Sequence, residues 1–135
     1  MEKRIRLGIF GFGCVGQGLY NVLNHTRGIN ATIRKICIRH PEKKRTLEAS
    51  YFTTDRDEII NDPEIDVIVE LIDDVQAAYE IVTTALKKRK AVVSANKKMI
   101  AEHLDELIRL QAEYKVSFLY EASCCASIPI IRNLE

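Results

Sequence analysis

The run Gly11-Phe12-Gly13-Cys14-Val15-Gly16 spaces three glycines as GxGxxG, directly after the apolar stretch Ile5 to Phe10 and directly before helical spacing from Val15 to Leu23. In that setting each glycine has its own task. Gly11 makes a tight turn, Gly13 lets backbone N–H groups approach a pyrophosphate, and Gly16 lets the helix pack closely on the strand. The positive end of the helix then faces the anion. The pattern predicts a dinucleotide-binding loop, with Phe12, Cys14 and Val15 lining it. Cys14 reads as a small apolar filler beside the cofactor rather than a redox nucleophile.

About 20 residues beyond such glycines, an NAD-selective site carries an Asp or Glu that bonds the adenosine ribose 2′-OH. Here the place is taken by Arg39, in the stretch ICIRHPEKKR at 36–45. Arg39, with His40, Lys43, Lys44 and Arg45 behind it, puts positive charge and a planar guanidinium where a 2′-phosphate would lie, which favours NADP over NAD. Glu42 is the acid among them. Two other readings stay open: a solvated turn in which Pro41 starts a helix, and an arginine stacked on the adenine without choosing between cofactors.

The nicotinamide side should come from the ends of later strands, Ile72 with Asp73 and Asp74, then SANKK at 94–98. Lys97 is placed to hold the nicotinamide end or a substrate, and Asn96 to cap the turn before the next helix. Near the C-terminus, YEASCCASIPI offers one carboxylate, Glu121, followed by small residues whose carbonyls suit a hard cation. On spacing alone, a Glu121 that bonds loop N–H groups is the simpler reading.

These residues need a frame. Strands are expected at Ile5 to Phe10, Ala31 to Ile38, Ile65 to Ile72, Ala91 to Ser94 and Val116 to Tyr120, with a minor one at Tyr51 to Thr53. Helical spacing covers Val15 to Leu23, Ala77 to Leu86 and Ile100 to Tyr114, with a short helix near Asp57 to Asn61 and a turn at Asp62-Pro63. Alternation of this kind predicts a doubly wound parallel α/β sheet, three layers deep, of the Rossmann type, in the order 3-2-1-4-5-6. The crevice then opens between the first and fourth strands. The run Lys87 to Lys90 closes a helix where cations complement the dipole, and is read without a function.

A chain of 135 residues is one domain by length. Its 20 Lys and Arg balance 19 Asp and Glu, so it lacks the overall field of a protein that coats nucleic acid. The cysteines at 14, 37, 124 and 125 form no CxxC and have no histidine grouped with them, which suggests neither a zinc site nor a disulfide framework and fits a reducing cytoplasm. No signal peptide and no apolar run of about 20 residues is present, so no membrane association is expected.

Together GFGCVG, the VELI at 69–72, AVVSANKKMIAEH at 91–103 and LYEASCCASIPIIRNL at 119–134 resemble the cofactor-binding half of homoserine dehydrogenases, and the resemblance spans essentially the whole chain. It implies reversible NAD(P)H-dependent reduction of L-aspartate 4-semialdehyde to L-homoserine, on the way to threonine, methionine and isoleucine. By matching motif positions it implies cofactor contacts at the Gly11 to Gly16 loop, Arg39, Ile72, Ser94 and Lys97. It also implies a monovalent cation, sodium or potassium, held by Glu121, Cys124, Ala126 and Ile128.

The sequence departs from the family pattern at Asp73-Asp74, where small residues usually follow the strand, and at Cys125-Ala126-Ser127, where glycines are common. The family also carries a substrate domain with its proton-donating lysine and most of a homodimer interface. No residue of this chain matches that lysine, so residues 1–135 are expected to be the cofactor domain alone, binding cofactor without turnover. The alternatives are another amino-acid-pathway dehydrogenase, such as an aspartate dehydrogenase or a dihydrodipicolinate reductase relative, and a free-standing dinucleotide sensor.

Overall fold

The computed structural model of the protein describes residues 5–12, 14–25, 31–39, 47 and 49–120. Six strands form one sheet: β1 (Ile5–Phe10), β2 (Ala31–Cys37), β3 (Phe52–Thr53), β4 (Val67–Glu70), β5 (Ala91–Ser94) and β6 (Phe118–Tyr120). The helices between them are α1 (Cys14–His25), α2 (Arg56–Ile60), α3 (Val75–Lys87) and α4 (Lys97–Tyr114). All pairings are parallel and the order is β3-β2-β1-β4-β5-β6, as the alternation predicts.

Strand alternation sorts the apolar residues into two cores. Leu7, Ile9, Val67, Val69 and Val93 face one side, where Leu19 of α1 packs on them. Phe10, Ile68 and Val92 face the other, under Ile81, Leu86, Met99 and Leu107 of α3 and α4. Gly8 also faces this second core. A Cβ there would overlap the Ile59 side chain and come within 3.0 Å of Ile65 Cδ1, so glycine lets α2 and the following turn sit directly on β1.

Helix starts follow from side-chain caps. The carboxylate of Asp55 accepts from Asp57 N–H at 2.9 Å, that of Asp74 from Ala77 N–H at 3.0 Å, and the Asn96 amide oxygen from Met99 N–H at 2.9 Å. The Asn96 cap moves the start of α4 three residues ahead of the apolar spacing that begins at Ile100. Helix α4 bends at His103 (φ −126°, ψ 18°), whose ring lies 4.1 Å from that of Tyr79 on α3.

The expected strand Ile65 to Ile72 is regular only over Val67–Glu70, although its flanks still bond β1, Asp66 N–H to Arg6 O and Leu71 N–H to Phe10 O. The cationic run after α3 divides. Lys87, Lys88 and Arg89 are exposed, but the Lys90 ammonium is half-buried and donates to the carbonyls of Asp62 (2.6 Å) and Ile65 (2.9 Å). Lys90 therefore fastens the turn before β4 and is not simply a dipole partner. No helix among the described residues is long and apolar enough to cross a membrane.

Candidate dinucleotide site

The carboxyl ends of β1, β2 and β4 converge on a cleft of about 550 Å³, within the usual range of small-molecule sites. Gly11 is its floor. Its N–H donates to Cys37 O at 2.9 Å, and its φ of +95° lies where residues with a side chain are strained. A Cβ at Gly11 would come within 3.1 Å of Leu71 O and 3.0 Å of Ile72 Cγ2, so the chain turns here with backbone against backbone. At Gly16 a Cβ would lie 2.9 Å from the Phe12 ring and 3.3 Å from Gly11 O, so this glycine makes room for the loop folded over the start of α1 rather than for the strand. The Phe12 ring meets Phe52 edge-on at 5.6 Å.

Gly11, Phe12, Arg39 and Ile72 line this one cleft, together with Asp74 and Arg56. Arg56 is held by Glu80 at 3.2 Å. Cys37 also lines the cleft, and burial pushes its thiol up from the ordinary value, which keeps it an unreactive wall. Arg39 is two-thirds exposed and reaches across to Asp74, Nη2 to Oδ2 at 3.7 Å. Hydrogen bonds from the start of α3, Ala77 N–H first, hold the Asp74 carboxyl below its ordinary value despite some desolvation.

Ser94 and Lys97 lie apart from that lining. Ser94 is fully buried, and its hydroxyl donates to Glu70 Oε1 at 2.6 Å and accepts from Asn96 N–H at 3.2 Å. Lys97 is exposed at the first residue of α4. Gly13, His40 to Arg45, and Glu121, Cys124, Ala126 and Ile128 fall outside the described residues, as do the side chains of Cys14 and Val15. Among the described residues no three His, Cys, Asp or Glu side chains gather as metal ligands would.

The pattern gives Ser94 and Asn96 roles but none to the residue that joins them. Glu70, at the end of β4, is fully buried, with Oε1 taking the Ser94 hydroxyl and Oε2 taking Ile72 N–H at 2.8 Å. Asn96 adds a bond from its amide N–H to Ile72 O at 3.0 Å. Glu70, Ser94 and Asn96 thus tie the loop after β4 to the loop after β5 at the crevice edge. Burial raises the Glu70 carboxyl above its ordinary value, against the opposing bonds from Ser94 and Ile72. The signal was a glutamate ending the otherwise apolar strand VIVE.

A parallel sheet whose strand order reverses between β1 and β4, with a glycine turn of positive φ under the crevice and a helix starting just beyond it, defines a dinucleotide-binding Rossmann domain. The residues fit such a ligand: the floor is bare of side chain and the rim carries a guanidinium.

Residues 11–121 match the family model described as homoserine dehydrogenase, NAD binding domain, and the chain belongs to that family. It is 34% identical to the homoserine dehydrogenase of Bacillus subtilis, covering 98% of this chain and 33% of that protein. It is 37% identical to that of Pseudomonas aeruginosa, covering 98% of this chain and 32% of that protein. The crystal structure of Staphylococcus aureus homoserine dehydrogenase at pH 8.5 superposes with a TM-score of 0.82 at 33% identity, over 91% of this chain and 33% of that one. The chain thus spans about a third of the length of the curated relatives it matches.

Proposed function

We propose that this chain is the nicotinamide-dinucleotide-binding domain of an enzyme that interconverts L-aspartate 4-semialdehyde and L-homoserine, a step toward threonine, methionine and isoleucine, with NADP preferred over NAD. The observation that supports the reading best is the cleft over Gly11 with Arg39 at its rim. A bound nicotinamide supplies or accepts the hydride. The chain's own residues bind and orient: the loop Gly11, Phe12, Gly13, Cys14, Val15 and Gly16 receives the pyrophosphate on backbone N–H groups, Arg39 takes the 2′-phosphate, and Ile72 flanks the nicotinamide side.

In this reading Ser94 works from behind, holding the loop that carries Ile72 through Glu70 and Asn96, and Lys97 faces the nicotinamide end or the substrate. Residues 1–135 act as the cofactor domain, and the proton donor and the small-molecule substrate contacts come from the part of the relatives that this chain does not cover. The complete enzyme is a cytoplasmic homodimer, and Glu121, Cys124, Ala126 and Ile128 hold a sodium or potassium ion in it.

Calorimetric titration with NADPH and with NADH at matched salt, on the chain and on Arg39→Ala, tests the cofactor reading. Tighter binding of NADPH that Arg39→Ala removes is the expected result. Equal affinities in the unaltered chain would reject the NADP preference and leave a site for either cofactor.

A further inference from the structure

Arg39 and Asp74 stand on opposite rims of the cleft, one two residues past β2 and the other at the N-cap of α3, and they meet over its mouth at 3.7 Å. The two carboxylate oxygens of Asp74 divide their work: Oδ1 caps α3 through Ala77 N–H, and Oδ2 faces the guanidinium. Both side chains remain in contact with solvent, with 67% and 47% of their surface exposed, so a ligand can reach the pair.

We infer that Asp74 is a specificity-determining residue that opposes Arg39, so that the choice between a 2′-phosphate and a 2′-hydroxyl is set by the pair and not by the arginine alone. This rests on the proposal that the cleft takes the adenosine end of a dinucleotide beside Arg39, and it moves Asp74 from the nicotinamide side, where strand order alone puts it, to the adenosine side, where its contact with Arg39 lies. A 2′-phosphate must draw Arg39 away from Asp74 and then lie beside a carboxylate, which is acceptor-only and repels it. A 2′-hydroxyl meets no such repulsion and can donate to Oδ2. Asp74 thereby weakens NADPH more than NADH.

The substitution that tests this removes the charge and keeps the cap. Asn and Ser are as good N-cap residues as Asp, so Asp74→Asn and Asp74→Ser both preserve the start of α3. Asp73→Asn is the control, because Asp73 lines the same cleft and carries the same charge. The chain and each variant are titrated calorimetrically with NADPH and NADH, and Asp74→Asn is repeated in the Arg39→Ala background.

The expected result is a rise of about tenfold in the preference for NADPH over NADH in both Asp74 variants, a smaller rise in Asp73→Asn, and a smaller rise from Asp74→Asn once Arg39 is absent, when only the direct repulsion between carboxylate and phosphate is left to remove. An unchanged preference in the Asp74 variants, or an equal rise in Asp73→Asn, overturns the assignment to Asp74 while leaving the dinucleotide site standing. Failure of the unaltered chain to bind either cofactor overturns both.

Discussion

The hydroxyl of Ser94 donates to the carboxylate of Glu70 at 2.6 Å, across the neighbouring ends of β5 and β4, with both side chains fully buried. Both groups are buried from bulk solvent, so this bond stands in for hydration beside the bonds from Ile72 N–H to Glu70 and from Asn96 N–H to Ser94. Ser94→Ala leaves one Glu70 oxygen without its donor and Asn96 N–H without its acceptor, and a loss of about 1–3 kcal/mol in unfolding free energy is expected. Urea denaturation measures it directly, and a change under about 0.5 kcal/mol would show that the contact is dispensable.

The same pair predicts a pH dependence. Burial raises the Glu70 carboxyl above the ordinary glutamate value, so between the two values the native state binds more protons than the unfolded chain. Stability from this group is then present at low pH and declines as pH rises from about 4.3 through the raised folded value. The difference in stability between the unaltered protein and Glu70→Gln should shrink or change sign in that direction. A difference that stays level across the window would contradict burial as the dominant influence.

Two glycines of one loop-helix unit should respond oppositely to alanine. Gly11 has φ +95° and a backbone carbonyl 3.1 Å from where a Cβ would sit, so Gly11→Ala should cost about 1–3 kcal/mol and weaken dinucleotide binding. Gly18 lies inside α1 with nothing within 4 Å of the added carbon, so Gly18→Ala should stabilise by about 0.5–1 kcal/mol. Thermal melts of the two variants against the unaltered chain decide both.

The strand order, the glycine turn and Arg39 at the rim were legible because each depends on local spacing: periodicity marks the elements, and one handed crossover arranges them. Gly8 and Glu70 were not. What Gly8 accommodates is Ile59, about fifty residues away, and what Glu70 needs is Ser94 on the next strand, and neither distance carries a local pattern. Ser94 shows the limit most clearly. The family motif marks the residue, while its hydroxyl bonds Glu70 and Asn96 N–H, neither of which the spacing of SANK announces. Asp74 reads in the sequence as an oddity after a strand, and in the structure as a helix cap facing Arg39.

Lys97 is exposed at the first residue of α4, and Lys98 follows it. A helix N-terminus carries partial positive charge, so two cations there oppose the helix dipole, and folding gains nothing evident from them. If Lys97 serves the cofactor or substrate, stability and binding should separate on substitution. Lys97→Ala should leave unfolding free energy within about 0.5 kcal/mol, or raise it slightly, while weakening NADPH several-fold. Asn96→Ala provides the contrast, since Asn96 caps α4 through Met99 N–H and holds Ile72 O, and it should lose about 1–2 kcal/mol of stability together with affinity. Measured by melting and calorimetry on the same preparations, an Lys97→Ala variant with unchanged NADPH affinity would remove the residue from the cofactor site and leave it to the substrate side.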